Sequence, residues 1–332
     1  METILVTGAT GFLGKYIVEE LASNNYNIIA IGRNENKGKV LERNNVEFRR
    51  VDLLDYETVE KIIAKVTMVI HAAALSTVWG KWEDFYKSNV EATEHIAKYC
   101  LKYKVEKLVY VSSPSIYTAK YDRLNIKENE FDENNDMNYY IKSKILSEKV
   151  LSTYIEKGLN VAIVRPRGLF GVGDTSIIPR IMKINKKVGI PLINQGENIV
   201  DITCVENVAL ALRLCLESDK SNGNIYNITN GEPIKFKKII DELYRKLDEK
   251  PKYINIKYIF LMRIASALEK LYKGLRIYKE PMFTIYTVAT LGFSQTLSIE
   301  KAREDLGYIP KISLQEGIDK YVDDYIKCKE YK

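Results

Sequence analysis

The chain has 332 residues, 46% hydrophobic and 28% charged. This excludes collagen, disorder and a small disulfide scaffold, and the length allows a large core in about two domains. A formal net charge of +6 tolerates an anionic ligand but is not the dense basic stripe of a nucleic-acid binder. From the start, Thr3 to Val6 reads as a strand, then glycines, then a helix over Lys15 to Ala22. Strands follow at Asn27 to Ile31 and Val46 to Val51, separated by the polar stretch Asn34 to Asn45. Next come a helix at Tyr56 to Ala64, a strand at Thr67 to His71, a long helix at Asn89 to Tyr103 and a strand at Leu108 to Val111. Tyr139 to Glu156 predicts a helix and Asn160 to Val164 a strand. Uninterrupted Val/Ile/Leu runs between helices predict a parallel sheet buried on both faces. The expected fold is therefore α/β, a doubly wound, Rossmann-type sheet.

Past Arg165-Pro166 the pattern loosens around Gly168, Gly171, Gly173 and Pro179. Val205 to Glu217 predicts a helix, and Ile225 to Ile228 a strand returning to the main sheet. The rest, from about Pro233, reads as mostly helical. The expected division is a nucleotide domain over 1–168 with 201–229 returning to it. A smaller, mostly helical substrate domain takes 169–200 and 230–332.

Thr7-Gly8-Ala9-Thr10-Gly11-Phe12-Leu13-Gly14 follows the first strand and opens the first helix. Gly8 permits the tight turn, Gly11 lets the backbone approach a pyrophosphate, and Gly14 allows close helix-to-strand packing. The helix N-terminus then offers unpaired N–H groups to phosphate. This is a dinucleotide cradle in its required context. The second strand ends Ile31-Gly32-Arg33-Asn34, with no acid before Glu35 to bond a ribose 2′-hydroxyl. Arg33 is suited to adenine and a 2′-phosphate. NADP(H) is favoured, with NAD(H) as the alternative. Asp52 and Leu53, after the third strand, are placed to contact the adenine.

The two histidines, His71 and His95, cannot build a His-rich metal site. Cys100, Cys204, Cys215 and Cys328 show no C-x-x-C spacing, so no metal is expected. Four reduced thiols suit a reducing cytosol. No signal peptide is visible. The longest apolar stretch, Tyr258 to Leu268, is interrupted by Arg263 and falls short of the ~18 residues of a span. A soluble cytoplasmic protein is expected.

Several pieces, in this order, give the chain a family look: TGATGFLG at 7–14, Val51-Asp52-Leu53, His71-Ala72-Ala73-Ala74, Asn89 to Thr93, Val111 to Tyr117, Tyr140 with Lys144, and Arg165-Pro166. The chain resembles the extended short-chain dehydrogenase/reductases over nearly its whole length. Tyr-x-x-x-Lys spacing occurs four times, also at Tyr103/Lys107, Tyr253/Lys257 and Tyr325/Lys329. Only Tyr140/Lys144 lies on a helix between the Ser-bearing strand and the Arg165-Pro166 strand. At i and i+4 both side chains share a face. A free tyrosine titrates near about 10, and the lysine is expected to lower it.

The resemblance implies a proton moved by Tyr140 between enzyme and substrate oxygen, and ribose hydroxyls held by Lys144. It implies a second hydrogen bond from Ser113, with Ser112 and Ser115 as alternatives, and a water relay positioned by Asn89. For Asn89, which heads its helix, a simple cap is the competing reading. Ala72, Ala73, Ala74 and Pro166 would line the cofactor, and His71 reads as a packed residue rather than a base. The resemblance also implies a homodimer through the helices Asn89–Tyr103 and Tyr139–Glu156.

Departures from the pattern narrow the branch. Pro114-Ser115 stands where sugar-nucleotide dehydratases carry Asp-Glu. Val200 stands where sugar-nucleotide epimerases carry a diphosphate-facing arginine, although Arg180 or Arg276 would be a substitute. The Ser112–Ser115 stretch, the Trp79-Gly80-Lys81-Trp82 loop, Arg165 to Gly171 and Thr229 to Pro233 look like the branch of 3β-hydroxysteroid dehydrogenases and 2-alkyl-3-oxoalkanoate reductases. That branch implies a ketone/alcohol oxidoreductase with a hydrophobic substrate. Ile259, Leu261, Met262 and Leu268 would then wall an oily pocket or touch a membrane surface, against ordinary core packing. Trp79 and Trp82 would sit near the pocket mouth. Two readings compete: a sugar-nucleotide epimerase, and a non-catalytic redox sensor, which need not keep a proton donor.

Overall fold

A computed structural model describes residues 2–330. The first half alternates strand and helix: β1 (Thr3–Thr7), α1 (Phe12–Ser23), β2 (Asn27–Gly32), α2 (Glu35–Lys39), β3 (Val46–Arg50), α3 (Tyr56–Ile63) and β4 (Met68–His71). A short α4 (Trp82–Phe85) runs through a π-helical turn, Tyr86–Glu91, into α5 (Ala92–Lys102). Then come β5 (Lys107–Val111), β6 (Arg123–Ile126), α6 (Tyr139–Glu156) and β7 (Val161–Pro166). The second half has β8 (Leu169–Phe170), α7 (Ile177–Lys187), β9 (Ile190–Leu192), β10 (Ile199–Val200), β11 (Thr203–Cys204), α8 (Val205–Glu217) and β12 (Ile225–Ile228). It ends with β13 (Ile234–Lys235), α9 (Phe236–Lys246), β14 (Tyr253–Asn255), α10 (Tyr258–Gly274), α11 (Ile285–Gly292), β15 (Gln295–Leu297), α12 (Glu300–Leu306) and α13 (Leu314–Glu330).

Seven strands form one parallel sheet in the order β12-β7-β5-β4-β1-β2-β3. Alternation along β1 feeds two cores. Ile4 and Val6 pack with Ile17 and Val18 of α1 on one face. Leu5 packs with Val59, Ile62 and Ile96 on the other. Both faces are therefore covered, as a parallel sheet requires. From β1 the chain builds outward to β3, then returns to β4 on the other side. A ligand crevice is expected at that reversal, beyond the C-terminal strand ends. A separate core joins Phe170, Ile178, Ile240, Leu243, Leu314 and Ile318 in the second half.

The strand β12 lies beside β7 in the main sheet. Beyond Pro233 the chain carries β13–β15 besides its helices. Among the described residues no helix is long and apolar enough to cross a membrane.

Candidate active site

At that reversal β1 and β4 end side by side, with Thr7 opposite His71. Beyond them the glycine loop enters α1, and Ala72–Ala74 leaves β4. The two loops touch. Gly8 has φ +71, and a Cβ there would stand 2.8 Å from the Ala73 backbone. At Gly14 a Cβ would meet the Gly8 carbonyl at 2.1 Å. Only glycine fits either position. Gly11 is the N-cap of α1, with no side-chain cap and no acid in the first turn. The first N–H groups of α1, those of Phe12 and Leu13 included, are left for an anion. Thr10 packs so close to Gly32 that a Cβ on Gly32 would stand 2.5 Å from its hydroxyl. The residues present therefore fit a dinucleotide pyrophosphate.

At the end of β2, Arg33 is exposed. Glu35 is held by Lys39 at 2.9 Å and by Arg50 at 3.7 Å. Asp52 is also exposed and accepts the Leu54 N–H at 3.0 Å, while Leu53 is half-buried beside it.

Under the loops runs a buried hydrogen-bond chain. Ala73 N–H donates to Thr7 Oγ1 at 3.2 Å, and Thr7 lies 2.8 Å from His71 Nδ1. His71 Nε2 lies 3.1 Å from Thr93 Oγ1, whose hydroxyl donates to the Asn89 carbonyl at 2.6 Å. Thr93 has one hydrogen and spends it on Asn89. His71 Nε2 must therefore carry the proton, and Nδ1 accepts from Thr7. Burial, and then the charge of Lys144, hold the imidazole down to about 3. His71 is neutral and packed.

Asn89 does not head a helix. It sits inside the π turn, because helix begins seven residues earlier at Trp82. Its Oδ1 accepts the Leu75 N–H at 2.7 Å, and its Nδ2 donates to the Leu75 carbonyl at 3.1 Å and to Ser143 Oγ at 2.9 Å. The side chain clamps the loop after β4 to α6. A π turn often marks a functional site. The simple-cap reading fails because Asn89 bonds to a distant loop rather than to its own helix start.

Tyr140 and Lys144 lie one turn apart near the start of α6, which Asn138 caps by accepting the Ile141 N–H at 2.8 Å. Lys144 is buried and donates to the Val111 carbonyl at 2.8 Å and the Tyr110 hydroxyl at 3.0 Å. An ammonium has three donors, so one remains. Burial pushes the Tyr140 phenol above its usual value, against the pull of Lys144 and the neighbouring Ser113 hydroxyl. The expected net lowering is therefore not found: desolvation outweighs the lysine. The same burial lowers Lys144, opposed by Tyr140 and Glu148.

The three serines differ. Ser112 donates to Glu148. Ser113 Oγ accepts the Ser115 N–H at 3.2 Å and shares a hydrogen bond with Ser115 Oγ at 2.9 Å. Ser112 is committed to the interior, and Ser113 is the serine beside Tyr140. Pro166 ends β7, buried, and the chain then runs through Arg167 to Gly168.

Sequence reading passed over Tyr110, Glu148 and Arg167. Tyr110 gave no signal, being one apolar-looking residue in a buried strand. Glu148 was findable as the acid one helical turn past Lys144. Arg167 was findable as a second cation directly after Arg165-Pro166.

Trp82 packs on Tyr139 with ring centroids 5.6 Å apart. Trp79 Nε1 donates to the Ile277 carbonyl at 2.9 Å, tying the loop after β4 to the stretch that follows α10. On α10 the apolar residues divide: Leu261 is buried, Met262 and Leu268 half-buried, and Ile259 exposed. Arg180 is paired with Glu280. Among the described residues, no group of three or more His, Cys, Asp or Glu could hold a metal.

A family model described as the NAD dependent epimerase/dehydratase family matches residues 4–229. The chain is 35% identical to the Uncharacterized protein YbjS of Escherichia coli, covering 96% of each. It is 30% identical to a 2-alkyl-3-oxoalkanoate reductase of Stenotrophomonas maltophilia, covering 95% of this chain and 97% of the relative. With a decarboxylating sterol-4-alpha-carboxylate 3-dehydrogenase of Mus musculus it shares 29% identity, over 98% of this chain and 92% of the relative. The crystal structure of gox2253 superposes with a TM-score of 0.81 at 26% identity, covering 99% of each chain. A UDP-glucuronic acid 4-epimerase from Bacillus cereus in complex with NAD superposes with a TM-score of 0.78 at 21% identity. It covers 99% of this chain and 100% of that one, and shows the shared fold. The chain belongs to the NAD dependent epimerase/dehydratase family, in the extended short-chain dehydrogenase/reductase branch, and is an NAD(P)-dependent oxidoreductase acting on CH–OH and C=O groups.

Proposed function

We propose that the chain is an NADP(H)-linked enzyme interconverting a ketone and a secondary alcohol on a hydrophobic 3-oxo acid or 3-ketosteroid-like substrate. The observation that carries this reading is the convergence of Ser113, Tyr140 and Lys144 where β5 ends and α6 begins. The named relatives act on 2-alkyl-3-oxoalkanoates and on sterol-4-alpha-carboxylates, which supplies the substrate class.

A bound nicotinamide supplies or accepts the hydride. Tyr140, kept protonated by burial, is the group that gives its phenolic hydrogen to a carbonyl oxygen. Ser113 orients the same oxygen. Lys144 has one N–H left for the ribose hydroxyls, and its charge pulls against the burial of the Tyr140 phenol. Asn89 acts on this set through Ser143 and the loop at Leu75 rather than by touching it. In the cofactor cradle, Gly8, Thr10, Gly11, Phe12, Leu13 and Gly14 take the pyrophosphate. Asp52 and Leu53 flank the adenine, while Ala72, Ala73, Ala74 and Pro166 line the remainder. Arg33 is the cation for a 2′-phosphate, since Glu35 is already occupied by two cations.

Substrate selection falls to 169–200 and 230–332. A cytoplasmic enzyme suits the four free thiols, and the resemblance makes α5 and α6 the dimer face. The sugar-nucleotide reading loses ground, because Val200 replaces the expected arginine and Arg180 is spent on Glu280.

The test is NADPH and NADH oxidation with a panel of hydrophobic 3-oxo acids and 3-ketosteroids. Turnover favouring NADPH is expected, falling by about 10²–10⁴-fold in Tyr140→Phe. No turnover with any ketone, while cofactor still binds, would move the reading to the epimerase.

A further inference from the structure

Arg167 is 7% exposed. Its backbone is fixed: its N–H donates to the Ile228 carbonyl at 3.0 Å, and its carbonyl accepts from Thr203. Its guanidinium is not. Nε is fully buried with no partner, and among the described residues no carboxylate comes within 4.0 Å of the group. Asp201 is the carboxylate whose charge reaches it, but Asp201 Oδ2 accepts the Leu297 N–H at 2.7 Å. A guanidinium brings five donors and is seldom buried unpaired, because desolvating an ion is expensive.

The surroundings tie this cation to the catalytic end of the pocket. Tyr286 lies within reach of the Arg167 charge, and Tyr140 within reach of Tyr286. Tyr286 packs against a core cluster that includes Ile141, the residue after Tyr140. A small cavity close by is lined by Thr118, Thr290 and Gln295. Thr118 Oγ1 and Gln295 Nε2 are buried without partners as well. Three buried polar groups without partners thus lie around Tyr286 and this cavity, the strongest of them a planar cation. A guanidinium fork matches a carboxylate bidentately.

We propose that Arg167 is the substrate-carboxylate anchor: it takes the carboxylate of a 3-oxo or 3-hydroxy acid whose carbon 3 lies at Tyr140. This rests on the oxidoreductase reading and deepens it. It assigns the acid group of the substrate to one residue, and explains why a buried cation is left open.

The test is calorimetric titration of the protein in excess NADP⁺ with 3-hydroxydecanoate, with its methyl ester and with UDP. Wild type is expected to bind the acid. Arg167→Gln should weaken that binding by about 30- to 300-fold, and the ester by less than about threefold. Arg167→Lys keeps the charge without the fork and should fall between; it also serves if the Gln variant does not fold, which a thermal melt reports. Equal losses for acid and ester, no binding of the acid by wild type, or Arg167-dependent binding of UDP instead of the acid would each overturn the assignment. Reduction of 2-decanone, abolished in Tyr140→Phe, tests the oxidoreductase reading separately. It can succeed while the anchor fails, and Arg167-dependent acid binding can hold if it fails.

Discussion

Arg165 and Arg167 stand two residues apart at the end of one strand, and both are withdrawn from water. Their surroundings are opposite. Arg165 donates to both oxygens of Glu148, with Nε at 3.0 Å, and also to Tyr117 and to the Glu128 carbonyl at 2.7 Å. Its guanidinium packs 4.8 Å from the Phe131 ring. Glu148 in turn accepts from Ser112, and Tyr117 donates to Asn227 at 2.8 Å. Around Arg165 every polar group is answered from within the chain. Around Arg167, Thr118 and Gln295 they are not. The first region is framework, in which a buried charge is tolerable because it is saturated. The second leaves a buried cation and two buried polar groups unanswered, the opening that the anchor proposal fills.

The largest expected effect separates the two arginines by stability. Arg165→Met strands the Glu148 carboxylate in the interior and should destabilise the fold by about 3–5 kcal/mol. Arg167→Met removes an ion that has no hydrogen-bonded carboxylate to strand, only the more distant charge of Asp201. Its stability should stay within about 1 kcal/mol of wild type or rise. Urea unfolding of both variants decides the matter. A loss at Arg167 comparable to that at Arg165 would make both framework and dissolve the contrast.

A smaller difference is expected between neighbouring serines. Ser112→Ala removes a hydroxyl bonded to a charged, buried acceptor and should lower stability by about 1.5–3 kcal/mol. It should leave kcat/KM for an accepted ketone nearly unchanged. Ser113→Ala should do the reverse: little change in unfolding, and a loss in kcat of about 10–100-fold, or ~1.4–2.7 kcal/mol of barrier. Equal effects on both measurements in both variants would show that the boundary between framework and site does not run between these two residues.

That boundary also marks what the sequence discloses. The sheet was readable because its strands are unbroken Val/Ile/Leu runs, and the glycine cradle because Gly8 and Gly14 admit no Cβ. Tyr140 and Lys144 were readable only by their place between two recognisable strands, since their spacing recurs elsewhere. The π turn was not readable. Asn89 looks like a helix start, and only the contact with Leu75, fourteen residues back, shows why the helix bulges there. Nor was the direction of the Tyr140 shift, because the lysine is visible in sequence and the desolvation is not. Arg167 is the sharpest case. Its presence is plain in the sequence, but its lack of partners is a property of the packed interior.

The last prediction uses pH to weigh the saturated region against the open one. His71 belongs to the first. It is held neutral with its value down at about 3, below an ordinary 6.5. The unfolded chain binds that proton more readily, so stability complete above pH 6.5 is lost as pH falls toward 3. Between pH 7 and 5 this amounts to about 2 kcal/mol. Asp201 belongs to the second region. Burial raises its carboxyl to about 6 from 3.8, against the Leu297 N–H and Arg167. Its contribution is present below 3.8 and is lost as pH rises through 6, so acidification to pH 5 returns about 1.4 kcal/mol. The wild type should therefore fall by less than about 1 kcal/mol over this range. Asp201→Asn should expose the full His71 slope, and adding His71→Gln should flatten it. A wild type as steep as Asp201→Asn would mean that Arg167 already neutralises Asp201 within the fold, leaving no charge to spare for a carboxylate.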